Sequence, residues 1–174
     1  MRRSIVLIAG FLIAASSLQA QDLPTARARL IDAQGRQVGE ATLRQTPNAG
    51  VLIQLRLEGI PAGTHAMHIH ETGRCDAPTF ESAGGHYAPR GNAHGPLHPH
   101  GKHAGDLLNI HVPESGRLVV EQLADGVSLW PGVQGTLFDA DGSALIIHTG
   151  ADDYTSQPTG DAGGRIACGV IERR

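Results

Sequence analysis

Val51, Ile53, Leu55 and Leu57 alternate along the chain with Leu52, Gln54, Arg56 and Glu58. A side-chain period of two is the signature of a strand with one buried face. Runs of similar character recur at 26–31, 38–44, 66–70, 117–123, 135–138, 144–148 and 165–171. Turn-forming clusters separate several of them: Ala33-Gln34-Gly35, Pro47-Asn48-Ala49-Gly50, Glu114-Ser115-Gly116 and the stretch 139–142. No segment of useful length carries the 3.6-residue helical period. About eight short strands spaced this way predict an all-β domain, an antiparallel sandwich or barrel. Two stretches break the alternation. Residues 71–109 are rich in Gly, Pro, His and small polar residues, and 150–164 form a shorter segment of the same kind. Long irregular loops in a compact domain are usually functional or disordered, and the histidines and Cys75 of the first could tie it down.

Composition narrows this picture. A chain of 174 residues and 18.2 kDa is one ordinary domain. It is 40% hydrophobic and 18% charged, which fits a globular fold. Aromatic residues are only 3%, so the interior is aliphatic and suits a tightly packed barrel. A net charge of −3 offers no basic stripe for nucleic acid, and Lys102 is the only lysine, so there is no polybasic membrane patch.

At the N-terminus, Arg2 and Arg3 precede an apolar run at 5–15 and the small, polar stretch 16–20. This is the pattern of a secretory signal peptide over 1–20, cut between Ala20 and Gln21, leaving a domain at 21–174. The apolar run is too short to span a bilayer, so no membrane anchor is expected. Export to the periplasm, or else secretion, is the expected location. Two cysteines in an exported chain usually pair, which joins Cys75 to Cys168.

The chain holds ten histidines, most of them between His65 and His103. In a strand, His68 and His70 share a face about 6.5–7 Å apart, so both imidazoles can lean toward one ion. Met67 and Ile69 then face the core, and His65 beside them reads as a buried, hydrogen-bonded histidine. The first loop carries His86, His94, His103 and Asp106. Three nitrogens and one carboxylate oxygen make a closed tetrahedral set suited to Zn²⁺, which holds a loop but leaves no place for a substrate. His98, His100 and His111 read as solvated. His148 closes the apolar run 145–147 and gains meaning with His68 and His70. With one more imidazole these form an all-nitrogen site that suits Cu²⁺.

Read together, the segments Gly63-Thr64-His65-Ala66-Met67-His68-Ile69-His70-Glu71, Gly84-Gly85-His86-Tyr87-Ala88-Pro89, His94-Gly95 and His103-Ala104-Gly105-Asp106-Leu107 resemble the Cu/Zn superoxide dismutases in their bacterial exported form. So do His148 with Asp152-Asp153, and the run from Thr159 through Arg165 and Cys168 to Ile171. The resemblance implies an eight-stranded Greek-key β-barrel with two long functional loops. It implies that His68, His70, His86 and His148 hold copper, and that His86, His94, His103 and Asp106 hold zinc, with His86 as the bridge. It implies that Asp152 joins His68 to His94 through their outer nitrogens, and that a Cys75–Cys168 disulfide pins the first loop to the last strand. Arg165 would hold superoxide beside copper, and Arg165 and His86 would be the catalytic residues. A copper donor and a homodimer are partners the resemblance leaves open.

The chain departs from the family in places. Its second loop is short and lacks the lysines that steer substrate in eukaryotic members, Met67 replaces a common aromatic residue, and Asp161 a common asparagine. The alternative class is a non-enzymatic periplasmic copper- or zinc-sequestering protein. A zinc hydrolase is a weaker alternative, because it needs an open zinc and a base, and no H-E-x-x-H motif exists.

Overall fold

The computed structural model describes residues 22–48 and 50–174; the signal peptide expected at 1–20 lies outside them. Nine strands form among the described residues: β1 (Thr25–Asp32), β2 (Gln37–Gln45), β3 (Val51–Glu58), β4 (Gly63–His65), β5 (Met67–His70), β6 (Ile110–Val112), β7 (Arg117–Ala124), β8 (Ala144–His148) and β9 (Arg165–Arg173). Seven of them make one antiparallel sheet in the order β5-β8-β9-β1-β2-β3-β7, and β4 pairs with β6.

β4 and β5 are one run of chain bent at Ala66, and β6 is a strand that the alternation did not announce, so nine strands stand where eight were expected, with the run 135–138 not among them. At that corner Ala66 donates its N–H to Gly150 O (2.7 Å) and accepts from His148 N (3.0 Å). The run therefore leaves one pairing and enters another, which lets the sheet curl closed. On the far side β6 packs beside β7, and Gln122 bridges the gap. Its amide donates to Leu108 O (2.8 Å) and accepts from Leu108 N (2.9 Å). The result is a curled antiparallel β-barrel with Greek-key crossings.

Val51, Ile53, Leu55 and Leu57 all point inward, as their period predicts. They meet Leu30, Leu43, Met67, Ile69, Ile110, Leu145 and Ile147 in one aliphatic core. The run 135–138 is a correction: it is irregular, with one isolated bridge between Ser128 and Thr136. Gly135 takes φ +83°, and the Thr136 carbonyl accepts from Tyr87 Oη (2.6 Å) in place of a neighbouring strand. The pairing strands β4 and β6 escaped the period because each is only three residues long.

β8 is buried throughout. Leu145 and Ile147 enter the barrel core, while Ala144 and Ile146 pack under the first loop with Phe80, Ala83 and Cys168. The Cys75–Cys168 disulfide is formed there and ties that loop to β9. Among the described residues no helix is long and apolar enough to cross a membrane.

Candidate metal centre

The strand period that sends Met67 and Ile69 into the core turns His68 and His70 the other way, toward the two loops. His148 arrives from the end of β8, whose register with β5 puts Ile147 opposite Met67. All three rings are buried. His70 Nε2 and His148 Nε2 lie 3.4 Å apart. Their other nitrogens are tethered to backbone: His70 Nδ1 donates to Gly84 O (2.9 Å) and His148 Nδ1 to Gly163 O (3.3 Å). His68 is held through Nε2 by Asp152 Oδ2 at 2.8 Å.

Two buried nitrogens in this cluster, His68 Nδ1 and His86 Nε2, have no hydrogen-bond partner. An unpartnered buried polar atom costs free energy, so one that persists calls for an explanation. A cation supplies it. The ligating atoms of His68, His70, His86 and His148 come within 4.8 Å of one another. Four imidazoles fit Cu²⁺.

A second cluster lies on the other side of the His86 ring. Asp106 Oδ1 faces His86 Nδ1 (3.0 Å), His94 Nδ1 (3.0 Å) and His103 Nδ1 (3.2 Å). His103 Nδ1 is 3.4 Å from His86 Nδ1. Asp106 Oδ2 is held by the N–H groups of Gly95 and His103, each at 2.9 Å, which fixes the carboxylate in the fold. Three Nδ1 atoms around one carboxylate oxygen are the donor set of a closed zinc site. His86 thus turns one nitrogen to each cluster. Asp152 links them a second way, because its Oδ1 meets His94 Nε2 at 3.0 Å.

The electrostatics of the two clusters differ. Burial, aided by neighbouring imidazoles, pushes His70 down to about 2, His148 to about 3 and His86 to about 4. Each is neutral at pH 7 and so has a lone pair to give. Burial also works against charge on His94, but its hydrogen bonds to Asp106 and Asp152 prevail and raise it to about 9. Burial likewise opposes the charge on Asp106 and Asp152. Their histidine and backbone donors outweigh it and hold both carboxyls well below the usual range.

Arg165 opens β9 directly opposite His148. Its Nη1 donates to Phe80 O (2.5 Å) and its Nη2 to Gly84 O (2.6 Å), the carbonyl that also anchors His70. The guanidinium is therefore held at the copper-type cluster and remains half-buried, not sealed. His65 lies outside both clusters, between the carbonyls of His148 (2.8 Å) and Pro61 (3.0 Å). His98 is half-buried, and His100 and His111 are exposed, all outside both clusters. Lys102 pairs with Asp125 (2.8 Å) and donates to Asp106 O (3.2 Å), so the only lysine braces the loop. Asn109 and Gln157 are functional residues that the sequence does not flag: their amides grip the backbones of Asp152 and His94. A lone amide in a loop carries no pattern by which to find it.

Residues 37–171 match the family model described as copper/zinc superoxide dismutase (SODC). The chain is 47% identical to superoxide dismutase [Cu-Zn] 2 of Aquifex aeolicus (strain VF5) over 98% of this chain and 99% of that one. It is 42% identical to a superoxide dismutase [Cu-Zn] of Caulobacter vibrioides over 79% of this chain and 80% of that one. Among solved structures, a SOD-like protein from Bacillus subtilis superposes with a TM-score of 0.80 at 39% identity, covering 83% of this chain and 96% of that one.

Proposed function

The chain belongs to the copper/zinc superoxide dismutase family and is a superoxide dismutase that uses copper and zinc, and we propose how its residues divide the work. His68 Nδ1, His70 Nε2, His86 Nε2 and His148 Nε2 hold copper. His86 Nδ1, His94 Nδ1, His103 Nδ1 and Asp106 Oδ1 hold zinc. The observation that carries this reading is the His86 ring, which offers a partnerless buried nitrogen to one cluster and its other nitrogen to Asp106.

Copper, when bound, supplies the one-electron couple by which one superoxide is oxidised to O₂ and a second, with two protons, is reduced to H₂O₂. The chain's own groups do the rest. The Arg165 guanidinium attracts the superoxide anion and orients it, because two carbonyls fix its position beside His70 and His148. His86 Nε2 has no protein partner, so whenever it is not ligated it is the atom that can take up a proton and pass it on. Asp152 fixes the ring planes of His68 and His94, as carboxylates commonly do behind ligating histidines.

This reading also places the mature chain outside the cytoplasm, in the periplasm or otherwise secreted. The signal-type N-terminus and the Cys75–Cys168 disulfide support that location. Copper must then reach the site there, which calls for a donor. The test is metal reconstitution of the purified protein followed by a superoxide-decay assay. One Cu and one Zn per chain with rapid decay is expected. Zinc alone, after exposure to both metals, would favour a sequestering protein.

A further inference from the structure

The second loop lacks lysine, yet it grips the first loop at several points. Gln157 makes a two-point clasp on the peptide of His94: its Oε1 accepts from His94 N (2.8 Å) and its Nε2 donates to His94 O (2.9 Å). The amide thus mimics a strand neighbour for a residue that has none. A reciprocal clasp runs the other way. Asn109, beyond the end of the first loop's ligand set, accepts from Asp152 N (2.8 Å) and donates to Asp152 O (2.9 Å). Asn109 N also donates to Tyr154 Oη (2.9 Å).

The backbones touch as closely as the side chains. Gly95 takes φ +93° against the Tyr154 carbonyl, and a Cβ there would overlap that oxygen. Gly160 takes φ +67° over the hydrogen bond between Asp152 and His94, and a Cβ would collide with both groups. The second loop therefore covers the His94–Asp152 contact with bare backbone and holds His94 from outside with Gln157. His94 is gripped at Nε2 by Asp152 and at both of its peptide groups by Gln157, leaving Nδ1 aimed at Asp106.

We propose that Gln157 is a positioning residue for zinc. Its amide fixes the peptide of His94 so that Nδ1 is aimed before the ion arrives, and the second loop thereby acts as the outer clasp of the zinc site. The inference rests on the zinc ligand set proposed above. Coupling between two sites is reciprocal, so whatever Gln157 adds to zinc binding, zinc adds to the order of the second loop.

The test uses the full oxidised protein, stripped of metal and titrated with Zn²⁺ and Co²⁺ against a chromogenic chelator. Gln157→Ala should weaken Zn²⁺ binding about 10- to 100-fold, the range typical of groups that support a ligand. It should also alter the visible absorption of Co²⁺ in the zinc site, leave Cu²⁺ affinity at the other cluster unchanged, and leave the melting of the metal-free protein within a few degrees of wild type. Gln157→Glu keeps the acceptor for His94 N–H but loses the donor to His94 O, so it should fall between the two, and it serves if the alanine variant folds poorly. Zinc should slow amide exchange over 150–164 in wild type and do so less in Gln157→Ala. Wild-type zinc affinity and cobalt absorption in Gln157→Ala would overturn the proposal. So would a loss of zinc affinity matched by an equal loss of metal-free stability and copper affinity. His103→Ala is the reference: if wild type binds Zn²⁺ no more tightly than that variant, the zinc ligand set itself is wrong and the inference falls with it.

Discussion

His70 and His148 stand on hydrogen-bonded strands, whereas His94, His103 and Asp106 stand on a loop that carries only isolated bridges, such as Asp106 with His68. The strand side needs little help. One backbone carbonyl behind each ring suffices, and the rings stay neutral because burial forbids charge. The loop side is held by charge and by clasps. A carboxylate fixed by two backbone N–H groups gathers three imidazoles, a second carboxylate bridges the halves, and amide side chains stand in for missing strand neighbours. A rigid scaffold can present neutral ligands ready made, while a loop has to be pulled into place by ionic and hydrogen-bonded partners. The division suits the ligand sets proposed above, in which the strand side would hold the ion that changes oxidation state and the loop side the one that does not.

Removing one ligand from each half should separate them most sharply. His148→Ala should lower the rate of superoxide decay at least about a hundredfold while zinc is retained, a loss at or beyond that of a ligand's supporting group. Asp106→Ala should lose zinc yet keep His68, His70 and His148 for copper, with measurable residual activity that falls more at high pH. Metal content by elemental analysis and superoxide decay across pH check both. Full zinc and a wild-type pH profile in Asp106→Ala would remove it from the ligand set.

Acid should expose the electrostatic difference in the metal-free chain. His70, His86 and His148 sit below the ordinary imidazole value when folded. The unfolded chain therefore binds protons that the folded chain refuses. This stability is complete above about pH 6.5 and is lost as pH falls, by about 1.4 kcal/mol per unit for each such imidazole. Asp106 and Asp152, held low, add further loss once pH drops below the ordinary carboxylate range. His94 has the opposite sign. Raised to about 9, it contributes below 6.5 and its contribution is lost as pH rises through 9. Urea midpoints between pH 5 and 10, with imidazole NMR titrations, test this. A His94 that titrates near 6.5 would contradict the ionic picture of the loop side.

Much of this organisation could be read before any coordinates. The period-two runs located most of the barrel strands, because a strand with one wet face leaves an alternation in the chain. The two loops announced themselves by breaking it. The strand at 135–138 was misread, since four mostly apolar residues look alike whether they pair or merely pack: Leu137 is fully buried without a ladder. The donors of the centre were visible as residue types and fell into two sets by their places in the chain, while His86 as the ligand shared between them came through the family resemblance. Which nitrogen of each ring faces which cluster was not legible, because ring orientation is set by distant carbonyls and carboxylates: Gly84 for His70, Gly163 for His148, Asp152 for His68 and His94. Asn109 and Gln157 were silent for the same reason.

The disulfide should matter more to the loop side than to the strand side. Cys75 and Cys168 are 93 residues apart, and the chain-entropy model assigns a closed loop of that size about 4–5 kcal/mol as an upper figure. Cys75→Ser should lower the melting temperature under oxidising conditions and weaken zinc binding more than copper binding, since the first loop carries His94, His103 and Asp106. Equal weakening of both metals would show that the bridge supports the barrel and not the loop.

Arg165 should give the smallest of these effects and the most selective. It stands on the strand side, opposite His148, with two of its nitrogens donating to carbonyls of the first loop. Those carbonyls fix the guanidinium without neutralising it, so its positive charge stays beside His70 and His148. The chain around it is acidic overall at −3, the second loop has no lysine, and Lys102 is paired with Asp125. No lysine is left to steer, and Arg165 is the cation held at the cluster. A cleft of one sign raises association rates by about 10- to 1000-fold, and a single half-buried cation belongs at the lower end. Arg165→Ala should then slow superoxide decay about tenfold with copper and zinc content intact. Arg165→Lys should recover only part, because a compact ammonium cannot hold two carbonyls in a fixed fork and still face the anion. Pulse radiolysis over a salt series separates attraction from orientation. If Arg165 only attracts, salt should slow wild type toward the rate of the alanine variant. If it also orients the anion, a gap should remain at high ionic strength, where the Debye length shrinks to about 3 Å at 1 M. A variant with the wild-type rate and salt slope would take Arg165 out of the mechanism and leave the copper-type cluster to work with its four imidazoles alone.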